Sequence, residues 1–157
     1  MTHHTTTRVP VNDSYAALVG KAVYIFAYYE WAIIWIIELL ENGFVSEYCR
    51  GRHSLTSGGV EKRFLRVINN PQTTYTKITK QEVIDCHLTF KALIVERNAL
   101  IHAHPCTDTD GAQILNYQTD PSKPLPDMKW PYGEVERLIS TFDKAACDAG
   151  GILDKLR

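Results

Sequence analysis

Apolar positions recur at helical spacing along most of the chain, and the longest such stretch comes first. Asp13 or Ser14 is suited to cap a helix, and helical patterning then continues from Tyr15 to about Asn42. Gly43 follows as the stop, because glycine readily adopts the left-handed backbone that ends many helices. The pattern predicts a first helix that runs the length of a small bundle.

Two further helical stretches occupy the middle of the chain. The shorter one runs from Val60 to about Ile68. In the longer one, Thr79 and Glu82 have the spacing of a capping box, and the helix extends from Lys80 to about His102. Pro105 disfavours helical backbone at the residue before it, so this helix is expected to end near residue 102.

Residues 106–131 differ in composition, with prolines at positions 121, 124, 126 and 131 that exclude a long helix. Within them, Gln113–Gln118 and Leu125–Trp130 can pair as the arms of a short hairpin. A last helix is predicted from about Tyr132 to Ala149, where Gly150-Gly151 interrupts it. Together these elements predict an all-α bundle of four main helices with one irregular connection before the last helix.

The length and composition fit one globular domain. A chain of 157 residues, 45% of them hydrophobic, is expected to form a single domain over 1–157 with a core at about 14–149. The four cysteines lack paired spacing and no segment resembles a signal peptide, so we expect a cytoplasmic protein with free thiols and no cofactor. The net charge of −1 provides no general attraction for nucleic acid, so RNA binding requires a local basic patch.

One segment of the first helix is apolar around its whole circumference. Between Lys21 and Glu38 lie sixteen residues, all apolar or aromatic except Glu30. A membrane span needs about twenty residues, and a central carboxylate opposes insertion, so burial by protein is expected rather than burial by lipid. Because so small a chain has few helices to cover this segment, a second copy in a homodimer is expected to provide part of the cover.

The end of the third predicted helix carries an unusual set of polar side chains. Asn98 and His102 are four residues apart on one helix face, and Arg97 lies about 100° to one side. Arginine presents a planar fork of donors to a phosphate, and histidine exchanges protons near neutral pH. The set therefore suits phosphate binding and proton transfer. The alternative is structural: an arginine paired with a carboxylate, and a histidine that caps the helix end.

The sequence Arg97-Asn98-x3-His102 resembles the Arg-x4–6-His motif of HEPN domains (higher eukaryotes and prokaryotes nucleotide-binding), and the order of the predicted elements is similar to theirs. The resemblance implies a HEPN-like bundle of four to five helices that forms a homodimer. It also implies a metal-independent endoribonuclease that cleaves RNA by attack of the ribose 2′-OH at a composite dimer site. In this mechanism the histidine is the acid or base, the arginine holds the scissile phosphate, and the asparagine orients the phosphate or the histidine.

The same resemblance leaves the biological role open. It implies a toxin or phage-defence effector, with an antitoxin or other protein as a candidate partner. The alternative is a non-catalytic HEPN module that binds a nucleotide, RNA or a partner protein.

Several other residues are candidates to support the motif. Glu30 needs a partner if it is buried, and Arg97 is the obvious cation if the first and third predicted helices pack side by side. His104 is either a second imidazole of the site or a turn residue. In extended backbone, the side chains of His102, His104 and Cys106 would point to the same side, as the ligands of a metal ion must. A helix at His102 breaks this alternation, so no metal is expected.

Basic residues concentrate in the second loop and the second predicted helix, between positions 50 and 66. They are either a patch that guides an RNA backbone to the site or a solvated helix face. The candidates are Arg50, Arg52, Lys62, Arg63 and Arg66.

Overall fold

The computed structural model describes residues 10–51, 56–122 and 127–157. In these ranges the elements are α1 (Asp13–Leu40), α2 (Phe44–Arg50), α3 (Ser57–Asn69), α4 (Lys80–Ile101), β1 (His104–Thr107), β2 (Gln113–Tyr117), β3 (Met128–Trp130) and α5 (Tyr132–Leu156). The architecture is mostly helical, as predicted, with a small three-stranded sheet between α4 and α5.

The three long helices meet at a cluster of aromatic rings around Phe26. Its ring stacks on Phe90 of α4 at 6.2 Å between centroids and meets the edge of Phe142 of α5 at 5.0 Å. Tyr29, one turn further along α1, packs edge-on against both Phe26 and Phe90. All four residues are at most 2% exposed, so this aromatic cluster holds α1, α4 and α5 together.

Most helix ends follow from local capping. The Asn12 side chain caps α1, in place of the predicted Asp13 or Ser14, by accepting the amides of Ser14 and Tyr15. Gly43 has a φ of 102°, as its predicted role as a stop requires. For α4 the predicted capping box is present.

The helices α2, α3 and α5 differ from the prediction. The short helix α2 was not predicted; it buries Phe44, and the Glu38 carboxylate accepts amides at its start, which lowers the pKa of Glu38. The helix α3 begins at Ser57 instead of Val60. At the end of the chain, α5 continues through the paired glycines to Leu156, because burial of Leu153 offsets the weak helix propensity of glycine.

The sheet extends the predicted hairpin by one strand. β2 pairs antiparallel with β3, with Leu115 opposite Trp130, which confirms the pairing of these two segments; Leu125 lies outside the described residues. β1, which was predicted as irregular, pairs with the other edge of β2 and places His104 opposite Asn116. His104 therefore lies in a strand and not on the helix that carries Arg97.

By length and composition alone, α1 could cross a membrane. In the structure Ile33, Ile36 and Ile37 are buried among the other helices, so the fold is compatible with a soluble protein. The side chains of Tyr24, Tyr28 and Trp31 are 39–74% exposed and lie on one stripe of α1, which we call the α1 aromatic face.

The Tyr15 hydroxyl connects α1 to the sheet. It donates to the carbonyl oxygen of Trp130 at 2.6 Å and accepts the amide of Leu115 at 3.0 Å. Burial raises the pKa of Tyr15, so the hydroxyl keeps its proton. One side chain thereby bonds two neighbouring strands to the first turn of the bundle.

Replacing Tyr15 with Phe is expected to lower the free energy of unfolding by about 1–3 kcal/mol, because the amide and carbonyl lose their buried partner. Chemical denaturation monitored by circular dichroism measures the change. Tyr132→Phe, which removes a hydroxyl from an exposed position on α5, is the control and should change stability by less than about 0.5 kcal/mol. Equal stability of the two variants would contradict the role given to Tyr15.

Glu82 provides a pH-dependent contribution to stability. The ammonium of Lys155 and the amide and hydroxyl of Thr79 all donate to its carboxylate and lower its pKa from 4.5 to about 2. A carboxyl with a depressed pKa in the folded state stabilises the fold above its unfolded pKa, and this contribution is lost as pH falls toward the folded value.

Wild type is therefore expected to unfold at a higher temperature than Glu82→Gln at neutral pH, and the difference should shrink as pH falls from 4.5 to about 2. Thermal melts across this range measure it. Glu136→Gln, at an exposed position of α5, is the control. A difference that does not depend on pH would show that Glu82 acts only through packing.

Candidate functional site

The predicted motif lies at the end of α4, where the helix gives way to the sheet. Arg97 and Asn98 are half-buried in its last turn, and His102 is the exposed residue that follows the helix. The His102 amide donates to the Asn98 carbonyl at 3.0 Å, which fixes the backbone between them. The side chains of His102 and Arg97 share no hydrogen bond within one chain, although both residues are described.

Two neighbours hold the Arg97 guanidinium in place. One of its nitrogens donates to the Asn98 side-chain oxygen at 2.9 Å, and its central carbon lies 5.5 Å from the centroid of the Phe26 ring. A cation over an aromatic face is attracted by the electrons of the ring. Because a guanidinium has five N–H donors, this arrangement fixes the group and leaves most of its donors free for a ligand.

The expected ion pair between Glu30 and Arg97 does not form. One carboxylate oxygen of Glu30 is buried and has no hydrogen-bond partner in the described part of the chain. The Arg97 guanidinium lies over Phe26, one helical turn before Glu30, and turns toward Asn98 instead. Burial and the nearby charge of Glu30 raise the pKa of Tyr48, which places this carboxylate beside α2.

Other arginines of the bundle are satisfied by carboxylates. The side chain of Arg63 binds two glutamates, and Arg137 binds both Glu134 and Glu96. The carboxylate next to Arg97 in sequence, Glu96, is thus used by Arg137 at 2.6 Å. Among the described residues Arg97 has no acidic partner, so its structural interpretation as one half of an ion pair is wrong.

The basic patch is weaker than the sequence suggests. Arg63 is only 15% exposed in its side chain, binds Glu41 and Glu47, and lies over the Phe44 ring at 4.9 Å, so it is a packing residue. Arg66 lies 3.7 Å from Glu41. Arg50 and Lys62 are exposed, and Arg52 lies outside the described residues. The patch is therefore partly neutralised by glutamates on neighbouring helices.

His104 and Cys106 lie on one face of β1, but His102 precedes the strand. Within the described ranges, no three histidine, cysteine or acidic residues are grouped to hold a metal ion. His104 is exposed and lies opposite Asn116, whose side-chain oxygen is buried without a hydrogen-bond partner there. Sequence reasoning placed Asn116 in a hairpin arm but had no signal for this buried amide.

A second polar group that sequence reasoning missed lies between α3 and α4. His87 is 4% exposed, and its Nε2 lies 2.7 Å from a carboxylate oxygen of Glu61. The imidazole also packs edge-on against Phe64. Because this pair is enclosed by the bundle, it joins two helices and offers no access to a substrate.

Comparisons with protein-family models, curated proteins and solved structures found no match to this chain.

Proposed function

We propose that the protein is a metal-independent endoribonuclease of the HEPN type, and that its active site is built around Arg97, Asn98 and His102 at the interface of a homodimer. The observation that carries this proposal is the Arg97 guanidinium, which is half-buried, fixed in place and without a carboxylate partner among the described residues. A half-buried cation without a carboxylate partner attracts an anion such as a phosphate.

The residue types are sufficient for RNA cleavage without a metal. The ribose 2′-oxygen attacks the adjacent phosphorus, the bond to the 5′-oxygen breaks, and a 2′,3′-cyclic phosphate and a 5′-hydroxyl result. A base must take the proton of the 2′-OH, and an acid must protonate the leaving oxygen. His102 of each protomer has one of these two roles. Arg97 stabilises the charge that develops on the phosphate, and Asn98 orients the guanidinium.

A dimer supplies what one chain lacks. Each protomer contributes a single motif histidine at the end of α4, whereas the reaction uses both an acid and a base. Two motifs that face each other would provide two imidazoles and two guanidinium groups. The α1 aromatic face, with its exposed Tyr24, Tyr28 and Trp31, provides apolar surface for such an interface.

Wild type is expected to cleave single-stranded RNA in the presence of excess chelator and to leave 2′,3′-cyclic phosphate ends, which mass spectrometry of the products detects. His102→Ala should lower the rate by about 10²- to 10⁴-fold, because it removes the proton-transfer group from an exposed position where little packing is lost. Arg97→Ala should also abolish most cleavage.

Arg157→Ala, which removes an exposed arginine from the last position of the chain, is the matched control and should keep full activity. Activity that disappears with chelator, or that cuts DNA equally well, would contradict the metal-free mechanism. RNA left intact by folded wild type would favour the non-catalytic HEPN module that binds a nucleotide, RNA or a partner protein.

Light scattering is expected to give twice the chain mass of 17.8 kDa at micromolar concentration. Tyr28→Glu should shift the protein to monomer, because a carboxylate in an aromatic interface loses its hydration without gaining a partner. Tyr132→Glu, at a similarly exposed aromatic residue on α5, is the control and should remain dimeric. A monomeric wild type would contradict the composite site.

A further inference from the structure

The surface beside Arg97 carries two exposed aliphatic side chains. Ile101, one turn further along α4 on the same side as Arg97, is 39% exposed. Val23, one turn before Phe26 on α1, is 40% exposed. Neighbours one turn apart on a helix have β-carbons about 5–6 Å apart. Ile101 therefore lies next to the stem of Arg97, and Val23 lies next to the ring on which the guanidinium rests.

The directions of the two helices bring these aliphatic side chains to the same level. α1 begins at the sheet, where Tyr15 bonds to β2 and β3, and α4 ends at the sheet, just before β1. The helices are therefore antiparallel, and both Val23 and Ile101 lie between the contact of Arg97 with Phe26 and the sheet. Side chains on a helix lean toward its N-terminus, so Ile101 leans back over the turn that carries Arg97.

The shorter helices cover this side of α1 and α4 only at the end away from the sheet. Further along the same side of α1, Ile34 and Ile37 are at most 1% exposed, because α2 and α3 pack over that half. α3 meets α4 at His87, about 15 Å of helix before Arg97. The described helices therefore leave the sheet end open, and the two aliphatic side chains remain exposed there.

This surface combines a fixed cation with apolar contact area. The Arg97 guanidinium is held by Asn98 and has no carboxylate partner among the described residues, so it favours a phosphate. The side chains of Val23 and Ile101 have no hydrogen-bonding groups and favour a flat apolar body. A nucleotide has both parts, with its phosphate and its base attached to one ribose. The face of a base is free to make such a contact where RNA is single-stranded.

We propose that Val23 and Ile101 form a base subsite next to Arg97. An unpaired base, that of the nucleotide on the 3′ side of the scissile phosphate, lies flat on the two aliphatic side chains while this phosphate binds the guanidinium. The inference rests on the proposed function, because both use Arg97 to hold the phosphate. Aliphatic side chains do not read the hydrogen-bonding edges of bases, so the subsite selects by the size of the ring and prefers purines to pyrimidines.

Three probes with the same phosphate and ribose separate the contribution of the base. Adenosine 5′-monophosphate (AMP) carries a purine, uridine 5′-monophosphate carries a pyrimidine, and ribose 5-phosphate carries no base. Titration of the full chain, followed by NMR of the backbone amides, is expected to show saturable binding of AMP with shifts at Arg97 and Ile101. AMP should bind about tenfold more tightly than ribose 5-phosphate, with the uridine nucleotide between them.

Substitutions separate the base contact from the phosphate contact. Val23→Ala and Ile101→Ala are each expected to weaken AMP binding several-fold and to leave the affinity for ribose 5-phosphate unchanged, because they remove only apolar area. Arg97→Ala should weaken the binding of both ligands. Leu88→Ala, which truncates a leucine of α4 that is 55% exposed and far from the motif, is the control and should bind AMP as wild type does.

The base subsite is overturned if AMP and ribose 5-phosphate bind equally well, or if both aliphatic variants bind AMP as wild type does. It is also overturned if either variant becomes a monomer in light scattering, since the surface would then belong to the contact with a second copy of the chain. Its failure is distinct from failure of the proposed function. RNA left intact by a protein that prefers AMP to ribose 5-phosphate would support the subsite and contradict only the cleavage. RNA cleaved through Arg97 without this preference would contradict only the subsite.

Discussion

The packing of Phe26 against Phe90 and Phe142 is the contact on which the rest of the structure depends. It joins the three long helices and therefore fixes how far α4 is shifted and rotated relative to α1. That position of α4 brings the Arg97 guanidinium over the Phe26 ring, 5.5 Å from its centroid. It also packs Tyr29 edge-on against Phe90. The position of the candidate site at the end of α4 is therefore a consequence of one hydrophobic cluster.

The candidate site has a second property, because it contains a charged group that no carboxylate of the described residues pairs with. The Arg97 cation has no carboxylate among the described residues, whereas Arg63 and Arg137 each have two. Within one small bundle, the arginines that connect elements are thus paired with carboxylates, and Arg97 at the candidate site has none among the described residues. Local departures from full satisfaction are expected at functional sites, where a ligand completes the set of contacts.

Local signals in the sequence predicted those elements whose ends are determined by neighbouring residues. The capping box of Thr79 and Glu82 and the effect of Pro105 gave both ends of α4 correctly, since these interactions act within one turn. The continuation of α5 past Ala149 was missed because burial of Leu153, a tertiary effect, decides it. The ion partners were missed for a related reason. Whether Glu30 meets Arg97 depends on the relative shift of two helices, which no local pattern encodes.

The distribution of charge also limits how RNA could be recognised. The net charge is −1, and the two arginines of α3 lie against Glu41 and Glu47, so broad electrostatic attraction of a polyanion is weak. Affinity would then have to come from few contacts with fixed geometry, of which the Arg97 guanidinium is the best positioned. A single fixed guanidinium is a small binding surface, and in the proposed homodimer a second copy would double it and would bring two imidazoles together. The weakness of the basic patch has one physical origin, which is the use of arginine side chains of α3 to hold the bundle together.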